Sequence, residues 1–567
     1  MRLRLRRVPS AIAVIASGLV FAFTGAAFAA GPVPGPLKRT GRWITDREGR
    51  VVVLHGVDIV KKVSPYYPSN FGPADAEFLA NEGLTAARIG FIWAGAEPLP
   101  GIYDNTYIDH VIGFNDLLAK YGIRTLIDVH QDDYGTQNET PADECSSDDL
   151  CSIASGDGAP GWAELGGGGG AEYADQDFEH FWDNGSASNG VGVQTQFVAL
   201  WAHLVSRIET SPGAGDLLGL DPFNEPYPGS GYASPCGDYD PCPAFEKTQL
   251  PAFYEKVIAA MRGAGYRGVI FPEAIADSGS AEPSLPGFSD PQVAFNAHYY
   301  CTASQVLPDP TGVISEPYCA SVDKAAFANY DAYAARLNVP YIVSEFGSND
   351  SDAEYAHETD LMGSRFLSWM YWMYYNYSTD PGNFPTQGLL LDDSRPGSVA
   401  NTSPLKLKAL VEPYAQAIAG TPQSWAFDRS TNAMTLTYTT HAVPGAKLAK
   451  GAETQIFVPQ LDYPTGYAVT VTGAHVTSSA ASPWVELAAI PGEHAVSVTV
   501  TPRTGSSTEL PSQANFTPPA AASSTKRKRP ASSDAKKHHH DHHHGPGQTG
   551  PSTRLAVNGG VLSLRHD

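Results

Sequence analysis

Eight short apolar runs, alternating with segments of helical pattern between residues 51 and 375, confine this chain to a parallel α/β architecture. The runs are 51–59, 86–91, 124–132, 217–226, 268–273, 293–300, 340–347 and 368–375. Helical connectors fit between them at 74–83, 107–121, 193–209, 246–264, 323–337 and 353–367. Eight β/α units predict a closed (β/α)8 TIM barrel. A doubly wound Rossmann sheet is the alternative, but no G-x-G-x-x-G follows the first run. Several runs finish in polar or ionisable residues: His130 and Asp132, Asn224 and Glu225, His298 and Tyr300, Glu345, Trp372. Strand C-termini converge on one barrel face, where active sites sit. A single such residue reads equally well as a strand-ending turn; five or six together read as a site.

The rest of the chain divides by composition. Residues 1–30 carry four arginines, an apolar run and the small-x-small sequence Ala27-Phe28-Ala29, which predicts a secretory signal peptide cleaved near Ala29 or Ala30. An uncleaved membrane anchor is the competing reading, and no later stretch reaches the roughly 18 apolar residues that span a bilayer. The catalytic barrel is expected over 31–420. From 421 to 503 short alternating strands with Gly/Pro turns predict a β-sandwich that packs on the barrel and supports it. Residues 504–567, with KRKR at 526–529 and HHHDHHH at 538–544, predict a disordered Ser/Pro/Gly-rich tail. Residues 31–503 hold 25 basic and 56 acidic residues, so the folded body is near -31, which argues against nucleic-acid binding. Export makes six cysteines a disulfide framework. The parsimonious couples are Cys145 with Cys151, Cys236 with Cys242 and Cys301 with Cys319; a zinc site is the weaker alternative, since no C-x-x-C occurs.

The chemistry rests on Glu225 in DPFNEP and Glu345 in IVSEFG, each at a predicted strand end. Glycoside cleavage needs such a pair: about 5–5.5 Å apart, one carboxylate attacks the anomeric carbon while the other protonates the leaving oxygen, giving retention; a wider gap gives inversion. Two carboxyls that close resist being charged together, so one keeps its proton near neutral pH. Asn224, placed for a sugar 2-hydroxyl, points to Glu225 as acid/base. Arg88 and Tyr300 would hold Glu345 ionised as nucleophile.

The ordered set Arg88, His130, Asn224-Glu225, His298 with Tyr300, Glu345 and Trp372 resembles the retaining (β/α)8 clan that contains glycoside hydrolase family 5. Within it the segments HGVDIVKK, DVHQDDYG, GDGAPGWA, FWDN, GVGVQ, NEPYPG, HYYC and TQGLLLDDSRPG resemble the endoglycoceramidases. So do YAQAIAGTPQSWAFD, ETQIFVP and DYPTGYAVTVTGA, and the likeness covers roughly residues 40–503. The resemblance implies hydrolysis of the β-glycosidic bond between oligosaccharide and ceramide, with Glu225 as acid/base and Glu345 as nucleophile. It implies that Lys61, His130, Asp132, Trp182, Asn224, Tyr300 and Trp372 line the sugar site, with Arg88 and His298 supporting the nucleophile. By themselves, Lys61 reads as a solvated lysine and Trp182 as a core indole. Asp58, Asp133 and the segment 136–160 depart from the pattern of that group.

No metal or organic cofactor is expected, and the partners expected are a glycolipid and a membrane or micelle surface, met by a secreted monomer. The lipid needs an apolar groove, for which 91–95, the glycine-rich loop 161–171 and the 369–375 aromatic run are candidates, the last reading equally well as barrel interior. The same fold and mechanism would also serve a β-glucosidase or diglycosidase on monohexosyl ceramides, sterol glycosides or plant aglycons. A catalytically silent glycan- or lipid-binding module is a rival from a different class, and a plain β-glucanase acting on cellulose is a third.

Overall fold

The computed structural model describes residues 33 and 35–503, apart from 136–155, 166–170, 230–241, 276–277, 302–315, 378–386 and 481. The signal segment, the tail, the couple Cys145–Cys151 and Cys236 lie outside these residues. So does most of the departing 136–160 segment.

The first apolar run serves two sheets. Three short strands, β1 (Lys38–Thr40), β2 (Trp43–Thr45) and β3 (Val51–Val52), form an antiparallel meander, and β4 (His55–Ile59) then opens the barrel. The expectation of one strand over 51–59 is corrected accordingly. Parallel strands β5 (Ala86–Ile92), β6 (Arg124–His130), β7 (Leu217–Asp221), β8 (Phe295–Tyr299), β9 (Tyr341–Phe346) and β10 (Trp369–Tyr371) follow, in sheet order β7-β6-β5-β4-β10-β9-β8. The fifth run closes the ring through single parallel bridges, with Ile270 between Leu220 and Val293 and Glu273 beside Asn296. Gly56 permits the first barrel contact, because a Cβ there would stand 2.2 Å from the Ala86 carbonyl oxygen.

Helices α1 (Pro73–Asn81), α2 (Asn105–Ala119), α3 (Ala171–Trp182), α4 (Val193–Ile208), α5 (Gln249–Gly263), α6 (Glu316–Leu337) and α7 (Asp352–Ser364) surround the strands. Their starts follow local chemistry. Pro73 opens α1, where a missing N–H costs nothing, and Asp104 caps α2 by accepting from Thr106 and Tyr107 N–H. Among the described residues no helix is long and apolar enough to cross a membrane.

Alternation decides what fills the barrel. Ala86, Leu126, Leu218, Phe271, Ile342 and Met370 pack with Leu37 and Ile44 of the meander region into an apolar floor. Two residues further along β5 and β6, period-2 geometry brings Arg88 and Asp128 onto the same inner face, so a charged layer lies directly on the apolar one.

The C-terminal region is a two-sheet antiparallel sandwich. Strands β11 (Tyr414–Ile418), β12 (Thr421–Asp428), β13 (Ala433–Thr439), β14 (Thr454–Phe457), β15 (Tyr467–Thr472), β16 (Ala474–Val476), β17 (Trp484–Ala489) and β18 (Ala495–Pro502) form it together with β1–β3. The sheets run β1-β2-β3-β11-β14-β17-β16 and β12-β13-β18-β15. Val51, Ile418, Trp425, Leu436, Ile456, Leu487 and Val498 are buried together between them. The sandwich is fixed to the barrel by apolar and ionic contacts. The His55 ring is sandwiched between Trp369 and Tyr414, and Arg429 reaches Glu412 at 2.6 Å and Asp360 at 3.3 Å.

Candidate active site

One buried guanidinium organises the floor of the site. Arg88, fully buried on β5, donates to Glu345 Oε1, to Asn224 Oδ1 at 2.6 Å and to Asp221 Oδ2 at 3.1 Å. Asp128 Oδ2 at 3.0 Å, Glu273 Oε1 at 3.4 Å and Asp58 Oδ1 at 3.8 Å complete its surroundings. Five carboxylates around one cation cannot all stay ionised in a low-dielectric interior. Burial pushes Asp58 and Asp221 well above the ordinary carboxylate range, with Glu345 adding to the first shift and Glu273 to the second. Burial acts the same way on Glu273, but His298 and Arg88 reverse it and hold that carboxyl down at about 2.

Glu345 stands near the end of β9, in register with His298 on β8. Besides Arg88 it accepts the Tyr300 hydroxyl at 2.7 Å, so both oxygens are held, and its side chain is 5% exposed. Glu225 follows β7 and is 27% exposed. Its backbone is left-handed, φ +41°, a conformation that costs a non-glycine residue about 1–3 kcal/mol. Surrounding bonds fix it: its N–H donates to Glu273 Oε2 at 2.8 Å, and Gln131 Nε2 donates to the Asn224 and Glu225 carbonyls at 2.7 and 3.0 Å. His298 Nδ1 lies 2.8 Å from Glu225 Oε1 and 3.6 Å from Glu345 Oε2. One carboxylate oxygen of Glu225, one of Glu345 and a ring nitrogen of His298 all lie within 4.8 Å of one another. Burial raises the Glu225 carboxyl to about 6, His298 opposing and the Glu345 charge assisting.

A second polar group borders the pair. Asp128 on the same strand face accepts His130 Nδ1 at 2.8 Å and, against the effect of burial, brings that ring up to about 10. His130 stacks on Trp372 at 5.3 Å, and the Trp372 N–H donates to Gln387 at 2.9 Å. Asp132 pairs with Lys62 and receives a backbone bridge from Asp157. Gly158, at φ +113°, lets that loop lie on Gln131, whose Cβ a side chain there would meet at 2.4 Å. Asn224 is fully buried; its Nδ2 donates to the Gln131 carbonyl at 2.8 Å.

Arg88, His130, Asp132, Asn224, Glu225, His298, Tyr300, Glu345 and Trp372 are thus joined in one contact network. Two expected lining residues are placed elsewhere. Lys62, 2% exposed, pairs with Asp132 and lies over the Trp372 ring, whereas Lys61, expected to line the sugar site, is half-buried with its Nζ 4.3 Å over the Tyr377 ring. Trp182 is a core indole: it packs on Phe181, Phe245 and Phe253, and its N–H donates to the Tyr227 carbonyl at 2.8 Å. The expected lipid wall at 91–95 is also corrected, since Phe91, Ile92 and Trp93 are buried in the barrel packing, and 369–375 is likewise interior. Of the 161–171 loop, 166–170 lie outside the described residues. Cys301 is bonded to Cys319, and Cys242 is disulfide-bonded.

Sequence reasoning missed Asp128, Asp221, Glu273, Gln131, Asn296, Lys62 and Asp157. Asp128 shares the inner face of β6 with His130, and Glu273 ends the fifth run as other site residues end theirs. Both signals were readable. Burial lowers His130 and His298, but their carboxylate neighbours reverse it and raise both, while Lys62 and Arg88 pair with acids around them.

A closed (β/α)8 barrel with a glutamate pair on its catalytic face defines a glycosidase hydrolysing O-glycosyl bonds. The model of cellulase (glycosyl hydrolase family 5) matches residues 52–378, and that of the glycoside hydrolase family 5 C-terminal domain matches 413–500. The chain belongs to glycosyl hydrolase family 5. It is 28% identical over 499 residues to endoglycoceramidase I of Rhodococcus hoagii, covering 84% of this chain and 90% of that one. Endo-glycoceramidase II from Rhodococcus sp., in complex with ganglioside GM3, superposes with a TM-score of 0.63 at 25% identity, over 82% of this chain and 100% of that one. Sterylglucosidase 1 of Cryptococcus neoformans shares the fold, with a TM-score of 0.63 at 13% identity, over 84% and 98%.

Proposed function

We propose that this chain is a secreted, retaining endoglycosidase that cleaves the β-glycosidic bond between oligosaccharide and ceramide in glycosphingolipids. The observation that carries the reading is the division of labour between two adjacent carboxyls. Glu345 is fixed by Arg88 and Tyr300, whereas Glu225 sits beside it with its carboxyl raised to about 6. Contact of their oxygens within 4.8 Å suits direct attack and leaves little room for the intervening water of an inverting site.

Glu345 attacks the anomeric carbon as Glu225 protonates the glycosidic oxygen, releasing ceramide and forming a glycosyl ester on Glu345. Glu225, now ionised, takes a proton from water, and that water cleaves the ester with net retention. Asn224 gives one amide N–H to Gln131 and retains a second for the sugar 2-hydroxyl. The names of the two endoglycoceramidase relatives favour a glycolipid over other aglycons. Export rests on the pattern of residues 1–30 and agrees with the Cys301–Cys319 bond. The protein would act as a monomer at a membrane or micelle surface.

Incubation with a ganglioside and with glucosylceramide, beside a Glu345→Gln control, tests the reading by mass spectrometry of the products. Intact oligosaccharide plus ceramide, absent in the control, is expected. Glucose from glucosylceramide with the ganglioside untouched would instead make the chain a β-glucosidase of hydrophobic glycosides.

A further inference from the structure

Glu273 has no place in the two-carboxylate scheme, yet it bonds to both the backbone and the ring that hold one of its members. It ends the fifth barrel run and is 3% exposed. One oxygen accepts the Glu225 backbone N–H at 2.8 Å, and the other lies 3.1 Å from His298 Nε2. The opposite nitrogen of that ring, Nδ1, lies 2.8 Å from Glu225 Oε1. A closed loop of contacts therefore runs from Glu225 N–H through Glu273 and His298 back to the Glu225 carboxylate. Asn296 Nδ2 fixes the arrangement from below, donating to Glu273 at 3.0 Å and to Asp221 at 2.8 Å.

We propose that Glu273 is a positioning residue for the acid/base: one oxygen holds the left-handed backbone of Glu225, and the other orients His298 as a donor to the Glu225 carboxylate. The proposal rests on the reading of Glu225 as acid/base.

The electrostatic consequence follows from the neighbours on every packed element. Glu273 faces Arg88 on β5, Asp221 on β7 and His298 on β8, while α5 contributes the Tyr254 hydroxyl to its carbonyl. His298 faces Glu273, Glu225, Glu345 and Ser344. Glu225 faces His298, with the charges of Glu345 and Asp132 acting on it. Burial alone would leave His298 neutral; Glu273 first and Glu345 second keep it an imidazolium. That cation favours the ionised form of Glu225, so it sets how early the acid surrenders its proton as pH rises. Removing the Glu273 charge lets His298 go neutral, and Glu225 then keeps its proton to higher pH.

The test compares pH profiles of kcat/KM for wild type, Glu273→Gln, His298→Asn and the double variant on an aryl β-lactoside with a poor leaving group. The expected result is an upward shift of the alkaline limb by about one unit in each single variant, with no further shift in the double variant. A limb unmoved in Glu273→Gln, or in His298→Asn, overturns the proposal, as do shifts that add. Glu273→Asp, which keeps the charge on a shorter arm, is expected to retain the wild-type limb while lowering kcat. A limb displaced in that variant also overturns it.

A parallel arm separates this from the functional reading. Glu225→Gln on an activated aryl lactoside is expected to recover turnover with azide, giving the β-lactosyl azide. Without that recovery the acid/base assignment itself fails, whereas recovery with an unmoved Glu273→Gln limb removes only the positioning role.

Discussion

Glu225 differs from Glu345 by what surrounds it, and the difference has two kinetic consequences. Glu225→Gln keeps shape but supplies no proton, so kcat/KM on a substrate with a poor leaving group should fall about 10²–10⁴-fold, and far less on an activated aryl glycoside. Steady-state kinetics on such a pair checks this; equal losses would contradict it. The second consequence concerns pH. The Glu225 carboxyl is raised to about 6 and is active only while protonated, so kcat/KM should decline as pH rises through that value. A profile flat from pH 5 to 8 would contradict the assignment. Several of these residues were legible because they end strands, where chemistry and topology coincide. Lys62 was not. β4 ends at Ile59, so by residues 61 and 62 period-2 alternation no longer says which lysine turns inward. Trp182 shows the converse: the indole belongs to a cluster of phenylalanines that no local pattern reveals, because Phe245 and Phe253 come from other segments.

Strands of this barrel carry their functional groups in layers, apolar below and charged above. Arg88 stands at the centre of the charged layer, and its removal would leave several buried carboxylates facing one another. Arg88→Met should therefore destabilise the fold by about 3–5 kcal/mol, the cost of breaking a buried ionic network from one side. Urea unfolding at neutral pH measures it; a loss under 1 kcal/mol would show that the carboxyls neutralise themselves by protonation. Element by element, the barrel was legible because βα alternation is a long-range pattern, and the helix boundaries fall within a few residues except at α6, which begins at Glu316, and at α3 (Ala171–Trp182), for which no connector was expected. The division of 51–59 between two sheets was not, since an unbroken apolar run carries no sign of a change of partner. β11 escaped for a related reason: all five residues of Tyr414–Ile418 are buried, so no alternation marks the strand.

Barrel and sandwich are joined by more than a linker. β1–β3 precede the barrel in sequence but lie in the sheet that holds β11, β14 and β17, and Val51 shares a core with Trp425 and Leu436. A chain cut after residue 420 would leave β3 and β11 without the opposing sheet and expose that core. It should be recovered insoluble where 31–503 is soluble; a soluble, active 31–420 would show that the barrel folds alone.

The central claim is that Glu345 attacks while Glu225 supplies the proton. Inactivation with 2-deoxy-2-fluoro-β-lactosyl fluoride, followed by peptide mass spectrometry, tests it most directly. A single fluorolactosyl adduct on the peptide containing Glu345 is predicted, and an adduct on the Glu225 peptide, or turnover of the probe with no covalent adduct at all, would contradict it.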